Sequence, residues 1–553
     1  MRSSESIKYK SKFKMKKVFK EWNKTICIFF LILTLGLILR LYNLTLLPVF
    51  VDEAIYIRWA QVMQAEPTLR FLPLSDGKQP FFMWSVIPFL KIFSDPLFAG
   101  RFVSVLSGIG TLVGVFALSY LLFKNRIVSL VSSVIYALSP FAVFFDRMAL
   151  VDSMLTFFGV WTLFFGVLTA KTLRLDFAML TGFVLGGALL TKSPAIFFVI
   201  LLPSVVLFLA KLGLKYILKL CVLLFVTYLI AYGMYNVLRL GPNFHLVRIR
   251  NADYVYPFTH VFERPLDPFL PYIDRVKEYI WIMGPSVLIV LTAVGIFYGL
   301  KRKPKATLLL MAWGILPVLV VSEFSKTMTA RYIYFSVPYF FILASLTFLG
   351  VNSVHTGGRL NSQGVKLIHP KGGLGSHPWV FGIFYKLSLV ILLVFFLHSA
   401  WLDYQLLTDP QKASLPRSER SGYLEEWTAG TGIREVAEYI KDEYQKDPST
   451  GIVVGTEGFF GTLPDGLQIY LNNYKDIVVK GVGVIITDVH PSLLESKRSG
   501  NETYLVVNDT RFKGDTEKLG LRLISSYPKA LRPDNIKESL LFFEVTDKAL
   551  FNF

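Results

Sequence analysis

What most constrains this chain is a series of apolar stretches, each long enough to cross a hydrocarbon core of ~30 Å, a crossing that takes about 20 residues of helix. The first is ICIFFLILTLGLILRLY, and others begin near Ala99, Ile127, Leu150, Asp176, Ala195, Tyr216, Ile280, Ala306, Tyr332 and Val380. That makes about eleven predicted transmembrane helices, since a lipid-embedded backbone must satisfy its own hydrogen bonds. Composition agrees: 53% of the 553 residues are hydrophobic and 18% charged, too little polar surface for a soluble chain of this size. The expected fold class is a polytopic α-helical membrane protein followed by a soluble α/β domain.

Charge sets the expected orientation. Residues 1–24 carry nine Lys/Arg and no cleavage site follows, so we expect a basic cytoplasmic N-terminus and a retained first span. The clusters at Lys124–Arg126, Lys171–Arg174, Lys211, Lys215, Lys219 and Lys301–Lys305 fall on the same side, and an odd number of spans then places the tail outside. The net charge of +19 belongs to the membrane part, because Asp403–Phe553 holds 18 Lys+Arg against 23 Asp+Glu. This distribution suits lipid headgroups and excludes nucleic acid as a partner. Cys27 and Cys221 both lie in apolar runs and make no disulfide framework.

We therefore expect a transmembrane catalytic unit over 25–400, with outer loops 48–98 and 239–279 and a cytoplasmic loop 351–379, and a soluble extracytoplasmic α/β domain over 401–553. In the tail TGIREVAEYIKDEYQ has helical spacing, and GIVVG, DIVVK, GVIITD, TYLVVN and LLFFEV read as strands. The pairs Gly110/Gly114 and Gly182/Gly186 suit close helix packing.

Ionisable groups at membrane depth cost roughly 2.5–3.5 kcal/mol each at a helix centre, so their location is informative. Asp52, Glu53, Lys78, Arg147, Asp152, Lys192 and Arg331 all fall at outer span ends or in outer loops. The positive-inside rule disfavours cations there. Six of the seven have a bland reading: helix capping for Asp52 and Glu53, snorkelling for Lys78 and Lys192, interface anchoring for Arg147 and Asp152. The one-sided collection of three carboxylates and four cations favours a site.

In order along the chain, the DE after the first span, KQPFFMW, RMALVDSMLTFF, LTKSP and the RY of a late span resemble the polyprenyl-phosphate-dependent glycosyltransferases of the GT-C membrane fold. The nearest likeness is the protein O-mannosyltransferase and lipid A aminoarabinose transferase branch. It covers roughly the first 350 residues, with Gln79 and Ser193 departing from the usual K-P-P and K-G-P motifs. The resemblance implies a lipid-linked polyprenyl-phosphate sugar as donor and an acceptor hydroxyl on a protein, lipid or glycan outside the membrane. It assigns the base to Asp52, with Glu53 and Asp152 as further catalytic carboxylates: Glu53 to position the acceptor or hold a neighbouring cation, Asp152 to orient Arg147 or meet the sugar. Lys78, Arg147, Lys192 and Arg331 become the donor-phosphate clamp, and Tyr56 and Trp84 are candidate walls of the sugar pocket. A divalent metal stays open, although no ligand spacing singles one out. The expected place is the plasma membrane of a prokaryote, with an endoplasmic reticulum as the other option. A transporter or flippase for a lipid-linked or anionic substrate is the alternative function.

Overall fold

The computed structural model describes residues 2–284, 286–349 and 378–551. The loop expected over 351–379 thus lies, up to residue 377, outside the described residues. All eleven apolar stretches contain helix, but they differ in length. Among the described residues six helices are long and apolar enough to span: Trp22–Leu41, Pro96–Phe123, Val151–Thr172, Leu214–Leu240, Pro304–Phe324 and Lys386–Thr408. The helices Phe269–Ile282 and Val287–Arg302 meet at a bend of 100°, in the manner of a broken span or a re-entrant loop. The other stretches form shorter helices, and in those beginning near Ile127, Ala195 and Tyr332 proline is the reason. Pro140 ends one helix and opens the next, Pro194 and Pro203 leave 3-10 turns around Ile196–Leu201, and Pro338 opens Val337–Ser345 after another 3-10 turn. Proline lacks the amide that helix continuation needs and pushes the preceding residue out of the helical region.

The elements that position the site come early in the chain. They are α1 (Arg2–Leu41), α2 (Val51–Ala65), α3 (Phe81–Leu90), α4 (Pro96–Phe123), α5 (Arg126–Leu138), α6 (Pro140–Phe145), α7 (Val151–Thr172) and α8 (Leu175–Thr191). The glycine pairs sit at close helix contacts, as expected. A Cβ on Gly110 would lie 2.7 Å from Phe157 of α7, and one on Gly182 would lie 2.8 Å from the Thr227 carbonyl of Leu214–Asn236.

The tail folds into a five-stranded mixed sheet in the order β2-β1-β3-β5-β4. Its strands are β1 (Ile452–Glu457), β2 (Ile477–Gly483), β3 (Glu502–Asn508), β4 (Leu521–Pro528) and β5 (Ser539–Val545). β1 pairs in parallel with β2 and β3, whereas β5 runs antiparallel to β3 and β4. Two strand expectations need correction. GVIITD forms only the end of β2 and an isolated bridge from Ile486 to Phe512. β4 was missed because it is an edge strand, LRLISSYP, whose mostly exposed or half-buried residues give no continuous apolar run.

Sheet domain and membrane part share one apolar core, which runs from Ile57, Val115 and Leu163 through Leu415 and Tyr423 to Ile433, Val454 and Phe542. Backbone links seal the junction. Gly430 N donates to Val49 O at 2.8 Å and Val51 N to Thr428 O at 3.1 Å, so the entry to α2 is paired with the tail. Gln61 Nε2 donates to Ile469 O at 2.8 Å, and Arg434 meets Asp95, the N-cap of α4, at 3.0 Å.

Candidate active site

A cavity of about 1010 Å³ opens between the start of α2, the Lys78 loop, the end of α8, the segment around Arg250–Val255 and the Arg331 turn. One part is apolar, walled by Leu185, Leu189, Phe197, Ile200, Val320 and Phe324. The other gathers Asp52, Tyr56, Lys78, Lys192, Arg250 and Arg331. Space of this kind fits a ligand with an apolar tail and a charged head.

Asp52 occupies the first turn of α2, where the helix dipole favours a carboxylate. Its Oδ2 accepts from Arg331 Nη1 at 2.6 Å and its Oδ1 from Lys78 Nζ at 3.4 Å. Burial pushes the Asp52 carboxyl up, but Lys78 and Arg331 outweigh it and hold the group well below the usual carboxylate range. Burial pulls Lys78 down, and Tyr56, Asp52 and Asp76 more than compensate, so its ammonium is held more firmly than an ordinary lysine's. Lys78 also meets Asp76 at 3.3 Å and lies 5.0 Å from the Tyr56 ring and 5.7 Å from that of Trp59. On the far side Lys192 Nζ donates to Asp152 Oδ1 at 2.7 Å. Lys192 and Arg331 share the Tyr332 ring, at 5.1 and 5.6 Å. Asp152 is 2% exposed and its Oδ2 has no hydrogen-bond partner among the described residues.

Of the predicted residues, the structure brings Asp52, Tyr56, Lys78, Lys192 and Arg331 to the cavity, with Asp152 directly behind Lys192. Glu53, Arg147 and Trp84 are not among the lining residues. Glu53 is fully buried and faces the other way: its carboxylate takes Arg101 Nε at 2.8 Å and Nη2 at 2.7 Å, Ala149 N at 2.6 Å and Phe50 N at 3.0 Å. It holds a cation, one of the two roles open to it, and that cation is Arg101. Arg147 closes the end of α1, donating to the carbonyls of Leu39, Arg40, Tyr42 and Asn43 at 2.6–3.1 Å. Trp84 donates to Arg70 O at 2.6 Å and packs on Phe71, bracing the loop before Lys78.

Two groups were missed. Arg250 joins the cavity from the helix Leu246–Tyr254, pairing with Asp76 at 3.6 Å and bonding Tyr254 OH at 3.1 Å. A cation on the outer side was the signal applied to Lys78 and Arg331, and it would have flagged Arg250 as well. Asp146, inside the same FDRMAL motif as Arg147, is a buried hub that accepts from Arg40, Tyr136, Tyr334 and Ser153 at 2.7–2.9 Å. Among the described residues no group of three or more His, Cys, Asp or Glu is placed to hold a metal ion. The carboxylates at the cavity face lysines and arginines instead of one another.

A bundle of apolar helices with its charged pocket at one end, capped by a small sheet domain, is a GT-C-like membrane fold. Residues 77–235 match the family described as dolichyl-phosphate-mannose-protein mannosyltransferase. The fold is similar to that of ArnT from Cupriavidus metallidurans in the apo state, with TM-score 0.53 at 15% identity, covering 95% of this chain and 98% of that one. Against ArnT bound to undecaprenyl phosphate the TM-score is 0.51, with the same identity and coverage. No curated protein matches the sequence. At such identities the likeness speaks for the fold, and the resemblance to GT-C glycosyltransferases read from the motifs holds at that level.

Proposed function

We propose that the chain is an inverting glycosyltransferase that moves a sugar from a polyprenyl-phosphate donor to an acceptor hydroxyl on the extracytoplasmic side of a plasma membrane. The observation that carries this reading is the placing of Asp52 between Lys78 and Arg331 at the polar end of a cavity whose other end is apolar. The ArnT structure with undecaprenyl phosphate and the mannosyltransferase match supply the donor class. The charge pattern of the loops supplies the side.

The chemistry follows from the groups present. The polyprenyl phosphate released from the donor's phosphodiester is already a good leaving group, so the departing oxygen needs positive charge and no acid. Lys78, Lys192 and Arg331 provide it. Asp52, ionised because of its two cations, accepts the proton of the acceptor hydroxyl as the new glycosidic bond forms and the anomeric carbon–oxygen bond to phosphate breaks. Attack opposite the phosphate inverts the anomeric carbon. The lipid phosphate leaves with the bonding pair and stays with the cations. Asp152 Oδ2, buried and unpartnered, is an acceptor for a sugar hydroxyl. In this reading Glu53, Arg147 and Trp84 hold the scaffold.

Mass spectrometry of polyprenyl-phosphate sugars, incubated with the full-length protein and a cell-envelope extract, tests the assignment. Consumption of one lipid-linked sugar by wild type and not by Asp52→Asn is the expected result. Transport of an unmodified lipid-linked sugar, with no covalent transfer, would replace this reading with the flippase one.

A further inference from the structure

Lys78 and Lys192 stand on loops far apart in sequence, and the residue that follows each lysine reaches across to the other loop. Gln79 Nε2 donates to Ser193 Oγ at 2.8 Å over a separation of 114 residues. Gln79 is 5% exposed, and both residues line the cavity. Neither takes part in the transfer step described above, and the serine hydroxyl keeps its own proton for a further acceptor.

We propose that Gln79 and Ser193 are positioning residues, a clasp that sets the separation of Lys78 and Lys192 so that both ammonium groups meet one lipid-linked phosphate. This rests on the reading of the cavity as a polyprenyl-phosphate sugar site. Consecutive Cα atoms are 3.80 Å apart, so a bond between residues 79 and 193 leaves the neighbouring lysine backbones little room to drift. Each lysine is also fixed on its other side. Before Lys78, Gly77 sits at φ +65°, where a Cβ would run into Arg250 and the Leu246 carbonyl. Lys192 is the C-cap of α8, and Pro194 opens the next turn with a fixed φ. The ion pairs do a different job: Lys78 is tied to Asp52 and Asp76, and Lys192 to Asp152, so no carboxylate joins the two lysines directly. The amide–hydroxyl bond does connect their loops.

Four variants of the full-length protein in lipid nanodiscs test the clasp: Gln79→Leu, Ser193→Ala, the double variant, and Ser193→Thr, which keeps a hydroxyl. Gln79→Leu is close in volume and Ser193→Ala removes one atom, so both are expected to fold with wild-type unfolding temperatures. Each single change should raise donor KM roughly tenfold by letting the two ammonium groups drift from one phosphate, with kcat and acceptor KM within about twofold of wild type. The double variant should be no worse than the worse single, and Ser193→Thr should recover the wild-type donor KM. Unchanged donor KM in both singles, additive losses in the double, or a Ser193→Thr variant as weak as Ser193→Ala would each overturn the proposal. A wild-type protein that consumes no polyprenyl-phosphate sugar would instead remove the reading beneath it. Titration with undecaprenyl phosphate alone then decides the clasp: roughly tenfold weaker binding by the singles supports it, and equal binding overturns it.

Discussion

Replacing Asp52 by Asn separates two duties that the carboxylate performs together. Asn keeps the shape but has neither the charge nor the capacity to take a proton. Loss of a general base typically costs 10²–10⁴-fold in rate, which at 1.36 kcal/mol per decade is ~2.7–5.4 kcal/mol of transition-state stabilisation. The same change releases Arg331 and Lys78, now held at 2.6 and 3.4 Å. A carboxylate about 6 Å from a bound phosphate repels it by on the order of 3 kcal/mol at an effective dielectric constant of ~20, most of which the two cations already offset. Asp52→Asn is thus expected to lose 10²–10⁴-fold in kcat while binding donor as tightly as wild type, or up to ~10-fold tighter. Single-turnover release of polyprenyl phosphate, followed by mass spectrometry, gives the first quantity. Titration of undecaprenyl phosphate on tryptophan fluorescence gives the second, since Trp59 lies 5.7 Å from the Lys78 ammonium. Turnover within about threefold of wild type would refute Asp52 as the base. Lost donor binding with the chemical step intact would show that the carboxylate serves only to hold the cations.

Glu53→Ala leaves Arg101 buried without its carboxylate, at a cost of about 3–5 kcal/mol, so thermal unfolding in detergent should fall sharply while the folded fraction keeps near-wild-type kcat. Lys192→Ala should raise donor KM without changing acceptor KM, whereas Arg147→Ala, which unties four carbonyls at the end of α1, should lower the unfolding temperature and leave donor KM alone. The acid limb of kcat/KM follows ionisation of the free-enzyme base, and the wild-type limb should lie below the ordinary Asp value of about 3.9 because two cations depress Asp52. Lys78→Ala removes one of them, so the limb should move to higher pH; a pH profile of the two proteins that coincide would refute the coupling.

Much of this architecture was legible because lipid is a demanding solvent. Charges at Asp52, Lys78, Lys192 and Arg331, on the side where the positive-inside rule disfavours cations, stood out in the sequence, and all four do line one cavity. What periodicity and charge could not provide was direction. Asp52 and Glu53 are neighbours on one turn, yet they point to opposite sides: the capping role offered to both belongs to Glu53, which takes the Phe50 amide, and only Asp52 reaches the cavity. Arg147 has the same charge as Arg331 but is consumed by the carbonyls at the end of α1, a contact over more than a hundred residues that no local pattern encodes. Helix lengths were overestimated where Pro140, Pro203 and Pro338 interrupt apolar runs, since hydropathy averages over a break that the backbone cannot. Edge strand β4 escaped because its outer side has no partner strand to demand apolar residues.

The pairing of the tail with the entry of α2 ties the C-terminal domain to the backbone that carries two of the cavity's charged residues, Asp52 and Arg331. Val49 O and Val51 N, three residues and one residue before Asp52, find their partners in Gly430 and Thr428, and Ala330 N, next to Arg331, finds its partner in the buried carboxylate of Glu419. Tyr423 stacks on Phe50 at 4.2 Å between them. A chain shortened to its membrane helices would lose more than an appendage: Val49 O, Val51 N and Ala330 N, the backbone beside Asp52 and Arg331, would be left without these partners.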